Sequence, residues 1–162
     1  MCEERFGYEG AEHVLDPVML LDAEVYRALG AESSEHSCSG KIMTYFLDPS
    51  REKECVVDYI ARISGNEVAQ TPVDRIVPPV EQWIAGFCDA EYVVTDSFHG
   101  CVLSILLHKK FVAVGNSLRG MARMNSLMSM FGLDGRLVQG IDPEDVLIWL
   151  RIILSLVNKI ID

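Results

Sequence analysis

The chain has 162 residues, 49% of them hydrophobic and 23% charged, which suits one domain with a packed core and excludes a disordered chain. A formal net charge of −10 repels a phosphate backbone, so no nucleic-acid partner is expected. The five cysteines are odd in number and have neither a C-x-x-C pair nor zinc-type spacing to histidine; they read as free thiols in a reducing cytoplasm, with no metal site.

The first residues, MCEER, are acidic and no apolar run follows them, so no leader peptide is expected. Residues 1–40 read as an inter-domain segment and linker. Within it, 14–17 (VLDP) is a short extended piece broken by proline, 22–29 a short helix capped by Asp22, and 31–40 a polar loop. A regular domain is expected over 41–162. Residues 42–47 (IMTYFL) are apolar and aromatic, the mark of a buried strand. Asp48 then caps a helix that has Pro49 in its first position. Val56, Val57, Ile60, Ala61 and Ile63 recur at helical spacing up to Gly65, the residue type that closes a helix.

Further along, 67–70 is expected as a short strand, 72–79 as loop, and 80–88 as a helix with Trp83, Ile84 and Phe87 on one face. Next come a strand at 92–94, a polar turn at 95–100, an apolar helix at 101–107 and a strand at 111–114. A second polar turn spans 115–120, followed by a helix at 121–131 closed by Gly132 and a short strand at 136–138. Asp142 and Pro143 cap a final helix containing 146–157 (VLIWLRIILSLV). That run is too short for a bilayer span and carries Arg151, so it reads as a buried helix and no transmembrane segment is expected. Strands alternating with helices at this spacing predict an α/β fold: a Rossmann-like parallel sheet with helices on both faces, joined by right-handed crossovers.

In open parallel sheets ligands bind outside the carboxyl ends of the strands. Three places qualify: Asp48, the turn 95–100 and the turn 115–120. Only the two turns combine glycine with ionisable groups. The first, TDSFHG, leads from a buried strand into a helix N-terminus, where free N–H groups and the helix dipole favour an anion. Ser97 adds a hydroxyl, His99 an imidazole able to take part in proton transfer, and Gly100 room for close approach of a ligand. Asp96 or Ser97 as a simple helix cap is the competing reading. In the second turn, GNSLRG, Arg119 and Arg123 are four residues apart and can share one side of a helix, where two guanidinium groups grip phosphate or carboxylate; a solvated surface pair is the alternative. From Ser97 through Leu133 there is no Asp or Glu, whereas Lys109, Lys110, Arg119 and Arg123 fall inside that window. A locally cationic region in an acidic chain suits a small anionic ligand. Dinucleotide-binding, Walker and nucleophile-elbow patterns are absent.

The stretch 90–138, with TDSFHG at its centre, an FVAV strand, an arginine-bearing turn and the run SLMSMFGL, resembles the polysaccharide pyruvyl transferase family. The earlier VLDPVMLL at 14–21 is similar to that family's passage between two domains. The resemblance implies the C-terminal, donor-binding half of a two-domain, GT-B-like enzyme, with the N-terminal half outside this chain. It implies transfer of a pyruvyl group from phosphoenolpyruvate to a sugar of a cell-surface or exopolysaccharide, giving a ketal, with no further cofactor. On this reading His99 matches the motif histidine, with Asp96 orienting it or capping the helix. Ser97, Phe98, Gly100, Asn116, Ser117, Arg119 and Arg123 line the substrate site. Ser97 stands where a variant of the motif has arginine, so Arg119 or Arg123 is expected to hold the donor's anionic end. The partners implied are phosphoenolpyruvate, a glycan acceptor, and either a second copy of the chain or the other half. A GT-B glycosyltransferase domain for a nucleotide sugar, and a catalytically silent assembly domain, are the two rival functions.

Overall fold

A computed structural model describes residues 7, 9–10, 12, 14–69, 78–115, 119 and 121–139. The expected loop over 72–77, Asn116 and Ser117 of the second turn, and the expected helix at 146–157 lie outside the described residues.

Four short parallel strands form one sheet in the order β1 (Ile42–Tyr45), β2 (Tyr92–Thr95), β3 (Lys110–Val114), β4 (Leu137–Val138). Five α-helices are described: α1 (Ala23–Ala31), α2 (Arg51–Ser64), α3 (Val80–Asp89), α4 (Phe98–Leu106) and α5 (Ala122–Met130). The Rossmann-like α/β expectation holds.

The region read as a second strand supplies only a single parallel bridge, Val68 to Ile42. Its placement still matters. Ile42 N–H donates to Glu67 O and Ile42 O accepts from Ala69 N, whereas Tyr92 N reaches Lys41 O. Val68 and β2 therefore flank β1 on opposite sides. The chain starts in the middle of the sheet, steps outward to Val68, then returns across β1 to β2. That reversal creates a crevice between the exits of β1 and β2, where doubly wound sheets bind ligands.

Alternation along the strands divides the core into two faces. Ile42, Tyr92, Val94, Val112, Val114 and Val138 cluster with Val56, Val57 and Ile60 of α2. Met43, Val93, Phe111 and Ala113 cluster with residues of α3, α4 and α5. Both faces being covered explains why β2 and β3 read as unbroken apolar runs rather than alternating ones.

Several boundaries differ from expectation for local reasons. The expected extended piece at 14–17 keeps extended backbone at Asp16 but ends there, because Pro17–Leu20 form a 3₁₀ turn capped by the Asp16 carboxylate. Helix α1, placed in the linker by sequence, packs against α3 so closely that a Cβ on Gly30 would sit 3.2 Å from the Ala85 backbone. Helix α2 begins at Arg51 with Ser50 at its cap position, because the Asp48 backbone is held by other partners, described below. Helix α4 begins at Phe98, three residues earlier than expected, with Ser97 as its cap.

Candidate functional site

The exits of β1, β2 and β3 and the first turn of α5 surround a cleft of about 310 Å³ lined by Leu47, Asp96, Ser97, Phe98, His99, Arg119, Met121, Arg123 and Met124. Asp96 to His99 of the first turn and Arg119 of the second thus line one depression at the carboxyl ends of the strands.

The β2 exit is built rigidly. Thr95 Oγ1 donates to Tyr45 O at 2.6 Å and accepts from Ser97 N at 3.0 Å. Ser97 Oγ accepts from Gly100 N at 3.3 Å, so Ser97 fills the cap position and Asp96 does not. Gly100 faces the protein and not the cleft: a Cβ there would lie 2.5 Å from Thr95 Oγ1. Its lack of a side chain lets α4 sit tightly on β2. The amides of Phe98 and His99, in the first turn of α4, have no acceptor among the described residues.

The Asp96 carboxylate is fully buried and turned toward β1. It accepts from Leu47 N at 2.7 Å and Asp48 N at 3.2 Å, and pairs with Lys53 Nζ at 2.6 Å. The Lys53 side chain is only 8% exposed, and its ammonium also donates to Asp48 O at 2.5 Å. Asp96 therefore ties the two strand exits together.

His99 is more than half exposed, and its Nε2 lies 3.7 Å from Asp16 Oδ2. Its ring meets Phe98 edge-on at 5.6 Å. The Phe98 ring lies under the Arg123 guanidinium at 4.8 Å, a cation–π arrangement that fixes the cation without a carboxylate. Among the described residues no carboxylate lies within ion-pair distance of Arg123. Arg119 instead meets Asp48 through two bonds, Nε to Oδ2 at 2.5 Å and Nη2 to Oδ1 at 3.1 Å.

Against the chain as a whole, a family model described as Polysaccharide pyruvyl transferase matches residues 1–117 of 162. The chain belongs to the polysaccharide pyruvyl transferase family. No curated protein and no solved structure compared with it matches. The family match takes in Asp16, Asp48, Lys53 and the whole TDSFHG turn of this pyruvyl transferase relative, and ends before Arg119 and Arg123.

Sequence reasoning missed Asp16 and Lys53 and set Asp48 aside. Lys53 carried a usable signal. It stands on the same helical stripe as Val56, Val57 and Ile60, where a lysine is buried only if paired. Asp16 gave none beyond its place before Pro17, because its approach to His99 is made by folding. Among the described residues no group of His, Cys, Asp or Glu is arranged to hold a metal ion, and no helix is long and apolar enough to cross a membrane.

Proposed function

We propose that the cleft binds phosphoenolpyruvate, and that the chain is the donor-binding, C-terminal portion of a polysaccharide pyruvyl transferase. The product is a pyruvyl ketal on a sugar of a cell-surface or exopolysaccharide. One observation carries this reading: His99, Arg119 and Arg123 line the same cleft. Phosphoenolpyruvate bears a phosphate and a carboxylate, and two guanidinium groups beside a helix N-terminus supply matching donors. The volume favours the small donor over a nucleotide sugar, since about 310 Å³ is at the low end of small-molecule sites, which run to about 1,000 Å³.

The chemistry needs one proton moved to carbon. His99 protonates the methylene carbon of the enol phosphate as one sugar hydroxyl adds to the adjacent carbon, and it recovers a proton from that hydroxyl. The second hydroxyl displaces phosphate by breaking its bond to carbon, and its proton leaves with the phosphate. Arg119 and Arg123 hold the anionic groups while charge moves onto the departing phosphate. Ser97 and Phe98 shape the wall of the site, and Asn116 and Ser117 belong to the turn that carries Arg119. No further cofactor is called for. A cytoplasmic setting agrees with cysteines 38, 55, 88 and 101, which are free thiols.

A second reading, assembly, is favoured by the exposed apolar side chains of Val14, Leu20, Leu21 and Val25, which suit a docked copy or the other half of the enzyme. Calorimetric titration of the chain with phosphoenolpyruvate and with UDP-sugars separates the possibilities. Saturable binding of phosphoenolpyruvate alone is expected. Tighter binding of the nucleotide overturns the reading, and no binding by either together with dimers in solution favours assembly.

A further inference from the structure

Exposed ion pairs usually contribute little, because both side chains must be ordered in high dielectric. The Asp48–Arg119 pair is half exposed, yet Asp48 is not an ordinary surface aspartate. Its N–H is held by Asp96 Oδ2 at 3.2 Å and its carbonyl oxygen by Lys53 Nζ at 2.5 Å. Lys53 and Asp96 are themselves buried and paired at 2.6 Å. The backbone of Asp48 is therefore fixed at both ends before its carboxylate meets any cation. The bracket stands at the reversal point between β1 and β2, so it fixes the β1 exit relative to the turn that bears His99.

The way Asp48 grips the guanidinium matters as much. It uses Nε and Nη2, two of the five N–H donors that lie along different edges of a guanidinium. The end bearing Nη1 is the edge that this grip leaves for another anion. We infer that Asp48, locked in place by Lys53 and Asp96, is a positioning residue that presents Arg119 to an anionic group in the cleft. This rests on reading the cleft as an anion site for phosphoenolpyruvate. An arginine already ordered binds without the entropy loss of immobilising a long side chain.

The test is a double-mutant cycle read by calorimetry with phosphoenolpyruvate, using the full chain, Asp48→Ala, Arg119→Ala and the double variant, each checked for an unchanged melting profile. Asp48→Ala is expected to weaken binding about three- to ten-fold, the cost of ordering one rotamer-rich side chain. In the Arg119→Ala background the same change is expected to have almost no effect, because its route has been removed. Unchanged or tighter binding by Asp48→Ala overturns the inference, since Asp48 would then be a bystander or a competitor. A ligand-independent measurement separates this from failure of the cleft reading. The Arg119 Nε–H resonance, identified by its loss in Arg119→Ala, is expected to exchange slowly in the parent chain and rapidly in Asp48→Ala and Lys53→Met. If the parent chain does not bind phosphoenolpyruvate, the functional reading falls and the resonance decides on Asp48. A resonance unaffected by both substitutions overturns the positioning role.

Discussion

At Gly100 two opposing effects can be weighed residue by residue. Alanine in a helix is favoured over glycine by about 1 kcal/mol, so a substitution in the first turn of α4 would ordinarily stabilise. Here the added methyl would lie 2.5 Å from Thr95 Oγ1, a hydroxyl already bonded to Tyr45 O and Ser97 N. Neither Thr95 nor the helix can shift without breaking those bonds, and overpacking costs about 1–3 kcal/mol. Gly100→Ala is therefore expected to be net destabilising by up to about 2 kcal/mol, measured as a lowered urea midpoint. His99 stands differently. It is exposed and contributes little to packing, so His99→Gln is expected to leave the urea midpoint unchanged. It should lower phosphate release from phosphoenolpyruvate in the acceptor-dependent reaction by about 10²–10⁴-fold, the range for losing a proton-transfer group. An unaltered rate would remove His99 from the chemistry. The sequence marked both residues as belonging to the site. It could not tell that Gly100 serves helix packing, because Thr95 alone gives no sign of which way its hydroxyl turns.

At the scale of elements, termini set by local chemistry were legible. Asp22 caps α1 through Glu24 N, and Gly65 and Gly132 take left-handed backbone at helix ends as anticipated. The expected start of α2 at Asp48 failed because Asp48 is claimed by Asp96, Lys53 and Arg119, partners up to 71 residues away that no local pattern encodes. The carboxyl end of α3 shows another long-range device. Asp89 places a negative charge at the negative end of the helix dipole, an unfavourable site. His36 Nδ1 meets its carboxylate at 2.6 Å, and Lys109 Nζ donates to Cys88 O and Ala90 O. Hydrogen bonding and attraction by Asp89 raise the His36 pKa above its ordinary 6.5. The folded state thus binds the proton more tightly than the unfolded state does. This stabilisation is complete below pH 6.5 and disappears as pH climbs through the raised folded-state value. The melting temperature of the parent chain should exceed that of Asp89→Asn most at about pH 5.5–6, and the gap should narrow toward pH 9. A gap that is constant across that range would mean the pair does not couple to folding.

For the molecule as a whole, the window free of Asp and Glu located the right region but overstated its charge. Lys109 and Lys110 lie at the entry end of β3, opposite the cleft, with Lys109 on the α3 carbonyls and Lys110 on Glu91. Of the four basic residues in that window, Arg119 and Arg123 line the cleft, and Asp48 offsets the first. What organises the cleft is topology: the order in which the chain adds strands reverses between β1 and β2, and the Lys53–Asp96 pair ties the two strand exits together. Both side chains are nearly or fully buried, so removing one takes from the other its oppositely charged partner at 2.6 Å. Breaking such a pair costs about 3–5 kcal/mol. In a domain of this size each kcal/mol lowers the melting temperature by about 2–4 °C, so Lys53→Met should melt roughly 6–20 °C lower. The loss should be just as large for Asp96→Leu, which also removes the carboxylate that accepts from the Leu47 and Asp48 amides. If Lys53→Met melts within about 2 °C of the parent, Asp96 is reached by water in solution. The two strand exits would then be joined by the Leu47 and Asp48 amides and not by the ion pair.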